Sequence, residues 1–350
     1  MDISILKADN ARRERRVALT PRAVAALARE GHRVTVESGA GAPSGFPDPA
    51  FEEAGARIAH RRREALGRGA LVLSLSWLKP AELEHLQDGA TVVNLDRLDL
   101  APAATRRAGA GRPLTFLSAD RLRDRNNHAP VRERMAELAG ALAPQLTARL
   151  LESSAPGRHG VLLAPLPGVH PAEVCVIGAG TLGLTAARQF ARIGVSVHLL
   201  EHDLDRLEAC WDSLPPNVFT ALATPESIRQ ISGFANAVVI AVRTAGPRAP
   251  IVLTEQMVRD MRPGSVVLDF SIDNGGGAAT SRPISRPEDA YSVHGVLHFS
   301  MPNAPSLVAR TASKRLSHAL LPFVHQLAGG AAPRAHRTFA QAVWWGEEPA

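Results

Sequence analysis

One stretch narrows the fold more than any other: "EVCVIGAGTLGLTAARQFARIGVSVHLLEHD", residues 173 to 203. An apolar strand, Val174 to Ile177, runs into Gly178-Ala179-Gly180-Thr181-Leu182-Gly183, then a helix ending near Gly194, then a strand closing on Glu201. That order is a parallel βαβ unit carrying a dinucleotide fingerprint. Gly178 makes the tight turn, Gly180 lets a pyrophosphate approach the backbone, and Gly183 lets the helix pack on the strand. Free amides at the helix N-terminus favour the phosphates. Glu201, an acid at the end of the second strand, is suited to the adenosine ribose hydroxyls and repels a 2′-phosphate, which points to NAD; His202 and Arg206 beside it leave NADP open. The cofactor-binding candidates are therefore Gly178, Gly180, Thr181, Leu182, Gly183 and Glu201.

Two more strands, 236 to 242 and 264 to 273, extend this half-sheet, and Asp273 stands at the carboxyl end of the second, where chemistry collects in such sheets. The turn-prone "DNGG" that follows gives Asp273 an equally good reading as a turn residue. Strand and helix also alternate from the N-terminus through "ISIL", "RVTVE", "LVLSLS", "TVVNL" and "PLTFLS", which predicts a second, largely parallel α/β body. In "LTPRAVAALAREGH", Thr20 is positioned to cap, Pro21 to open and Gly31 to end a helix. Met135, Leu138, Leu142, Leu146 and Leu150 recur at helical spacing, predicting a long helix over 130 to 152 that Pro144 kinks. The expected domains are 1–130 with 306–350, and 131–305. The tail from 306 has no evident strand partners and is expected to pack back on the first body.

The 350 residues suffice for two cores. Lysine occurs only at 7, 79 and 314, so 37 of the 40 basic residues are arginines, scattered and without interleaved aromatics, which argues against nucleic-acid binding. Two cysteines, Cys175 and Cys210, with no ligand spacing indicate neither a disulfide framework nor a metal site. No apolar run is long enough for a signal peptide or a membrane span, and a cytoplasmic protein is expected.

"RRVALTPRAVAALAREGHRVTVESGAG", "SGFPDPAFEEAGARI", "GVLLAPLPGVHPAEVCVIGAGTLGL", "MRPGSVVLDFSIDNGGG", "TSRP" and "MPNAP" together resemble the alanine dehydrogenases and the N-terminal region of pyridine nucleotide transhydrogenase. The resemblance covers nearly the whole chain. It implies two Rossmann-like domains, NAD on the second, a substrate cleft between them, and a homo-oligomer. It also makes Arg16 the contact for a substrate carboxylate, Asp273 the catalytic-site aspartate near the nicotinamide, and Asn303 a neighbour of that ring.

Two positions depart from the family pattern. Where the family carries a lysine pair before Glu-Pro, the ungapped register gives Ser74 and Ser76, and where it carries an acid/base histidine the register gives Arg97, with Asp96 beside it. Lys79 is the nearest lysine, reached only through a gap. Arginine stays protonated and serine is no cation, so ammonia addition to pyruvate lacks its usual proton shuttle. The catalytic candidates are Arg16, Ser76, Arg97 and Asp273, acting on a small carboxylate-bearing imine, amino acid or keto acid other than alanine or pyruvate. A lyase or cyclodeaminase with NAD as internal shuttle, and a catalytically silent NAD-binding partner protein, are the alternatives.

Overall fold

A computed structural model describes residues 1–8, 14–96, 101–153, 160–243 and 248–344. Six short strands open the chain: β1 (Asp2–Ile5), β2 (Arg33–Glu37), β3 (Arg57–Ala59), β4 (Leu71–Ser74), β5 (Thr91–Asn94) and β6 (Thr115–Ser118). They pair in parallel in the order β6-β5-β4-β1-β2-β3. Seven more follow: β7 (Glu173–Ile177), β8 (Ser196–Glu201), β9 (Val218–Leu222), β10 (Ala237–Ile240), β11 (Val266–Asp269), β12 (Tyr291–Val293) and β13 (Val296–Phe299). These form a second sheet in the order β12-β13-β11-β10-β7-β8-β9, parallel except for β12. From β3 to β6, and again from β9 to β13, the chain follows the 3-2-1-4-5-6 order of doubly wound sheets. The expected α/β class with two Rossmann-like, largely parallel sheets is thus present.

Each sheet belongs to its own compact unit, Met1–Met135 with Pro305–Ala350, and Ala136–Ala304. The sequence pattern predicts this boundary at 130/131; the two compact units meet at 135/136, inside the unbroken helix Pro130–Leu151. The reason is packing, since Val131 is buried in the first core and Met135 lies against it. The helix continues through Pro144. The residue four positions earlier is Gly140, where a Cβ would lie 2.4 Å from the Leu182 carbonyl, so this helix packs directly against the glycine-loop segment.

The tail does more than pack. β14 (Val343–Trp344) pairs antiparallel with β6 and extends the first sheet, correcting the expectation that it has no strand partner. Before it, helix Ala309–Ala328 buries Leu316, Leu320, Phe323, Val324 and Leu327 in the core of the first unit. Its polar side is also structural. Ser317 Oγ accepts the Thr20 amide at 3.1 Å and meets the Thr20 hydroxyl at 3.3 Å, so Thr20 is drawn to this helix rather than capping Pro21–Arg29 as its sequence position suggested. Gly31, at φ +82°, follows that helix's end as expected.

Candidate functional site

In doubly wound sheets the point where strand order reverses leaves a crevice at the carboxyl ends of two strands. In the second unit that point lies between β7 and β10, and the glycine loop occupies it. Gly178 adopts φ +104°, and a Cβ there would sit 2.6 Å from the Ala241 carbonyl of the segment after β10. At Gly183 a Cβ would fall 1.8 Å from the Gly178 carbonyl, so only glycine closes the loop. Gly180 is different: a Cβ there would meet nothing within 4 Å. It caps helix Thr181–Arg192 in extended backbone, with Thr181 exposed at the first helical position, Leu182 half-buried and Gly183 buried. Open space over Gly180 at a helix N-terminus fits a dinucleotide pyrophosphate.

Glu201 closes the loop from the end of β8. Only 2% exposed, its carboxylate accepts the Ala179 amide at 2.7 Å and the His202 amide at 2.9 Å. His202 Nδ1 lies 2.5 Å from the same carboxylate and Arg206 Nη1 3.9 Å. An anionic group so fixed beside the glycine loop suits ribose hydroxyls, and an approaching 2′-phosphate would meet its charge.

The segment after β11 supplies the other wall of this carboxyl edge. Asp269, 2% exposed, accepts the amides of Ser271 at 2.9 Å, Gly277 at 2.7 Å and Ala278 at 3.1 Å, folding "DFSIDNGGGA" back on itself. Ser271 Oγ donates to the Val242 carbonyl at 2.8 Å and accepts the Val242 amide at 3.1 Å, joining this segment to the one after β10. Asp273 is thereby held exposed on a single 3₁₀ turn, where its Oδ2 accepts the Asn303 amide at 3.3 Å. Asn303 itself has φ +53°, a left-handed conformation that asparagine tolerates. Two residues thirty positions apart in sequence are thus brought together. Asp269 and Ser271 were missed by sequence reasoning; an acid ending a strand just before a glycine run was the available signal.

In the first unit the reversal lies between β1 and β4, where Ser74 ends β4 and Ser76 follows it. The sequence suggests a strand over "LVLSLS", residues 71 to 76, but β4 ends at Ser74, whose hydroxyl donates to the Ser76 carbonyl at 2.6 Å and bends the chain. Asn94, at the end of β5, donates through Nδ2 to the same carbonyl at 2.9 Å. Ser74, Ser76 and Asn94 are all buried. Ser74 therefore shapes backbone rather than presenting a hydroxyl outward. Lys79 is exposed at the start of helix Pro80–Leu83, its amide donating to Glu82 at 2.8 Å. Asp96 is half-buried, and Arg97 lies outside the described residues.

Arg16 is 6% exposed and already faces an anion. Its Nε and Nη2 donate to Glu14 Oε1 and Oε2 at 2.8 and 2.5 Å, its amide donates to Oε1 at 2.9 Å, and Nη1 approaches Met135 Sδ at 3.3 Å. Burial alone would raise the Glu14 pKa, but the Arg16 charge and the hydrogen bonds from Arg16 and Ser306 bring it down to about 2. Ser306 Oγ also accepts the Arg15 amide at 3.4 Å, and Ser313 Oγ accepts the Val17 amide at 3.0 Å. Glu14 and these tail serines fix the segment around Arg16; the serines lie almost 300 residues downstream of it, too far for the sequence to reveal them.

Two doubly wound units, the second with a glycine loop closed by an acid, define a Rossmann-type dinucleotide-binding class. The chain belongs to the alanine dehydrogenase/PNT family: residues 5–139 match the family's N-terminal domain and residues 143–343 its C-terminal domain. It is 35% identical to an alanine dehydrogenase of Halomonas elongata over 318 residues, 90% of this chain and 84% of that protein. Against the alanine dehydrogenase of Bacillus subtilis it is 33% identical over 323 residues, covering 92% and 84%. Among solved structures, an L-alanine dehydrogenase superposes with TM-score 0.89 at 31% identity, over 98% of this chain and 94% of that one. A transhydrogenase from Sinorhizobium meliloti gives 0.79 at 25%, over 94% of each. The family resemblance read from the sequence is confirmed. Among the described residues no helix is long and apolar enough to cross a membrane.

Proposed function

We propose that the protein is an NAD-dependent oxidoreductase that moves hydride to or from a small carboxylate-bearing imine, amino acid or keto acid other than alanine or pyruvate, working as a homo-oligomer. The observation that carries this reading is the Asp273–Asn303 contact on the sheet whose reversal point holds the glycine loop. The cofactor is NAD, held by Gly178, Gly180, Thr181, Leu182, Gly183 and Glu201; when bound it supplies the hydride-carrying nicotinamide carbon. Asp273, exposed and tethered by the Asn303 amide, orients or protonates the substrate nitrogen. Arg16 contacts the substrate carboxylate, with Glu14 holding the guanidinium in one plane through Nε and Nη2. Arg97 adds a second cation for that carboxylate, and Ser76 donates to the substrate heteroatom.

The substrate preference rests on side chains that cannot shuttle a proton near neutrality. Serine at 74 and 76 and arginine at 97 offer no group with a pKa near working pH, whereas ammonia addition to pyruvate and loss of water need one. A protonated imine already carries the electrophilic carbon, so hydride transfer to it asks mainly for placement.

The test is a spectrophotometric screen of the purified protein with NADH or NAD against amino acids, keto acids with amines, and cyclic imines, with pyruvate plus ammonia included. Turnover on a carboxylate-bearing imine or amino acid and not on pyruvate is the expected result. Robust pyruvate amination would overturn the substrate assignment. NADH binding without turnover on any candidate would overturn the oxidoreductase assignment.

A further inference from the structure

Within the first unit a cavity of about 680 Å³ opens between the start of helix Pro130–Leu151, the segment around Asp124, helix Ala309–Ala328 and Thr338. None of its lining residues is one the dinucleotide loop, Asp273 or Arg16 uses. Its lining is basic: Arg125, Arg134, Arg315 and His318 stand with a single acid, Asp124. That acid is engaged locally, because its Oδ1 accepts the amides of Asn126 and His128 at 2.9 Å each in a turn where Asn127 adopts φ +64°. Pro130 places the first turn of a 22-residue helix on the same wall, so its positive end adds to the field of the guanidiniums. Phe323 supplies apolar surface, and Gln326, also in the lining, has an amide oxygen that is buried and meets no donor among the described residues.

We infer that this cavity binds a compact organic oxyanion bearing two or more negative charges. Guanidiniums contributed by three chain segments suit the paired oxygens of carboxylate or phosphate groups, and a monovalent anion would engage only part of the set. The half-buried Arg315 sits on the helix whose serines fix the Arg16 segment, and Arg134 precedes the boundary where the Pro130 helix passes into the second unit. A ligand here bridges elements that also position the candidate site.

Calorimetric titration of the intact protein with citrate and, separately, with pyrophosphate tests this, at constant ionic strength and with saturating NADH to occupy the glycine loop. Acetate serves as the monovalent control. Saturable binding of at least one probe and none of acetate is expected; citrate alone identifies a polycarboxylate ligand, pyrophosphate alone a phosphorylated one, and both the shared chemistry. Arg315→Gln and Arg134→Gln should each weaken binding at least about tenfold, while Arg29→Gln, an exposed arginine on another helix, leaves it unchanged. NADH affinity read by nicotinamide fluorescence reports that each variant is folded. No saturable binding of either probe, or binding that survives both cavity substitutions, would overturn the assignment.

Discussion

The two sheets share one strand order and differ in what stands at the reversal point. In the second unit the backbone itself faces outward there, through glycines, a helix N-terminus and open space over Gly180. In the first unit the equivalent point is closed by side chains: Ser74 and Asn94 both donate to the Ser76 carbonyl, and buried Glu14 holds Arg16 elsewhere in that unit. One topology thus supports two kinds of site. A crevice lined by amides suits a ligand recognised by its phosphates, while a surface built from paired side chains suits one recognised by its functional groups.

The comparison breaks hardest at Gly183. Alanine there would drive its Cβ to 1.8 Å from the Gly178 carbonyl, so Gly183→Ala should cost more than about 4 kcal/mol and abolish NADH binding, both visible in a thermal melt and a fluorescence titration. Gly180→Ala is the counterpart. Its backbone suits any residue and its Cβ meets nothing, so the fold should melt as wild type while NADH affinity falls at least about tenfold. Equal melting losses in the two variants would remove the distinction between a glycine that packs and one that leaves room.

The first unit's counterpart is Glu14. Breaking a buried ion pair from one side costs about 3–5 kcal/mol, so Glu14→Gln should lower the melting temperature and raise the KM of any carboxylate substrate. The pH dependence has a definite sign. The folded-state pKa of about 2 lies below a glutamate's ordinary 4.5, so the stabilisation, roughly 3 kcal/mol at 1.36 kcal/mol per unit, is complete above about pH 4.5. It fades as pH falls towards 2. Urea melts of wild type and Glu14→Gln should therefore converge across that window, and a constant gap would show that the carboxylate's charge is not what holds Arg16.

How much of this was legible beforehand follows the range of the contacts. The glycine loop is a local device, so Gly178, Gly180, Gly183 and Glu201 could be placed from spacing alone, as could the strand order's parallel character. Asp273 could be raised from its place at a strand's carboxyl end but needed the family likeness to prevail over a turn reading, and Asn303 needed that likeness altogether, because one amide-to-carboxylate bond across thirty residues leaves no periodic trace. Glu14 stands two residues from Arg16 in "RRERR" and is hidden by composition: one acid among arginines has no spacing that marks it as a buried partner. Ser313 and Ser317 were hidden differently, on an amphipathic helix where only tertiary packing turns a serine towards the Val17 and Thr20 amides.

Asp269→Asn asks whether the second unit's edge also depends on a buried charge. Three amides converge on this carboxylate, and charge-assisted bonds of this kind are worth about 1.5–3 kcal/mol. A loss near 2 kcal/mol is expected, with kcat falling more than NADH affinity, since the Asp269 loop carries Asp273 and not the glycine turn. An unchanged kcat would sever Asp273 from its proposed role.

The smallest expected effect concerns the carbonyl that two side chains share. Ser74→Ala and Asn94→Ala each remove one donor to the Ser76 carbonyl and leave the other, so each should cost about 1 kcal/mol. Removing both strips that buried carbonyl of the two together, and the double variant should exceed the sum of the singles by about 1 kcal/mol in a double-mutant cycle of urea melts. Strict additivity would mean that the two donors act independently. The bend after β4 would then be held by backbone packing, and Ser74 would be released to serve as a pocket hydroxyl like those its place in the sequence first suggested.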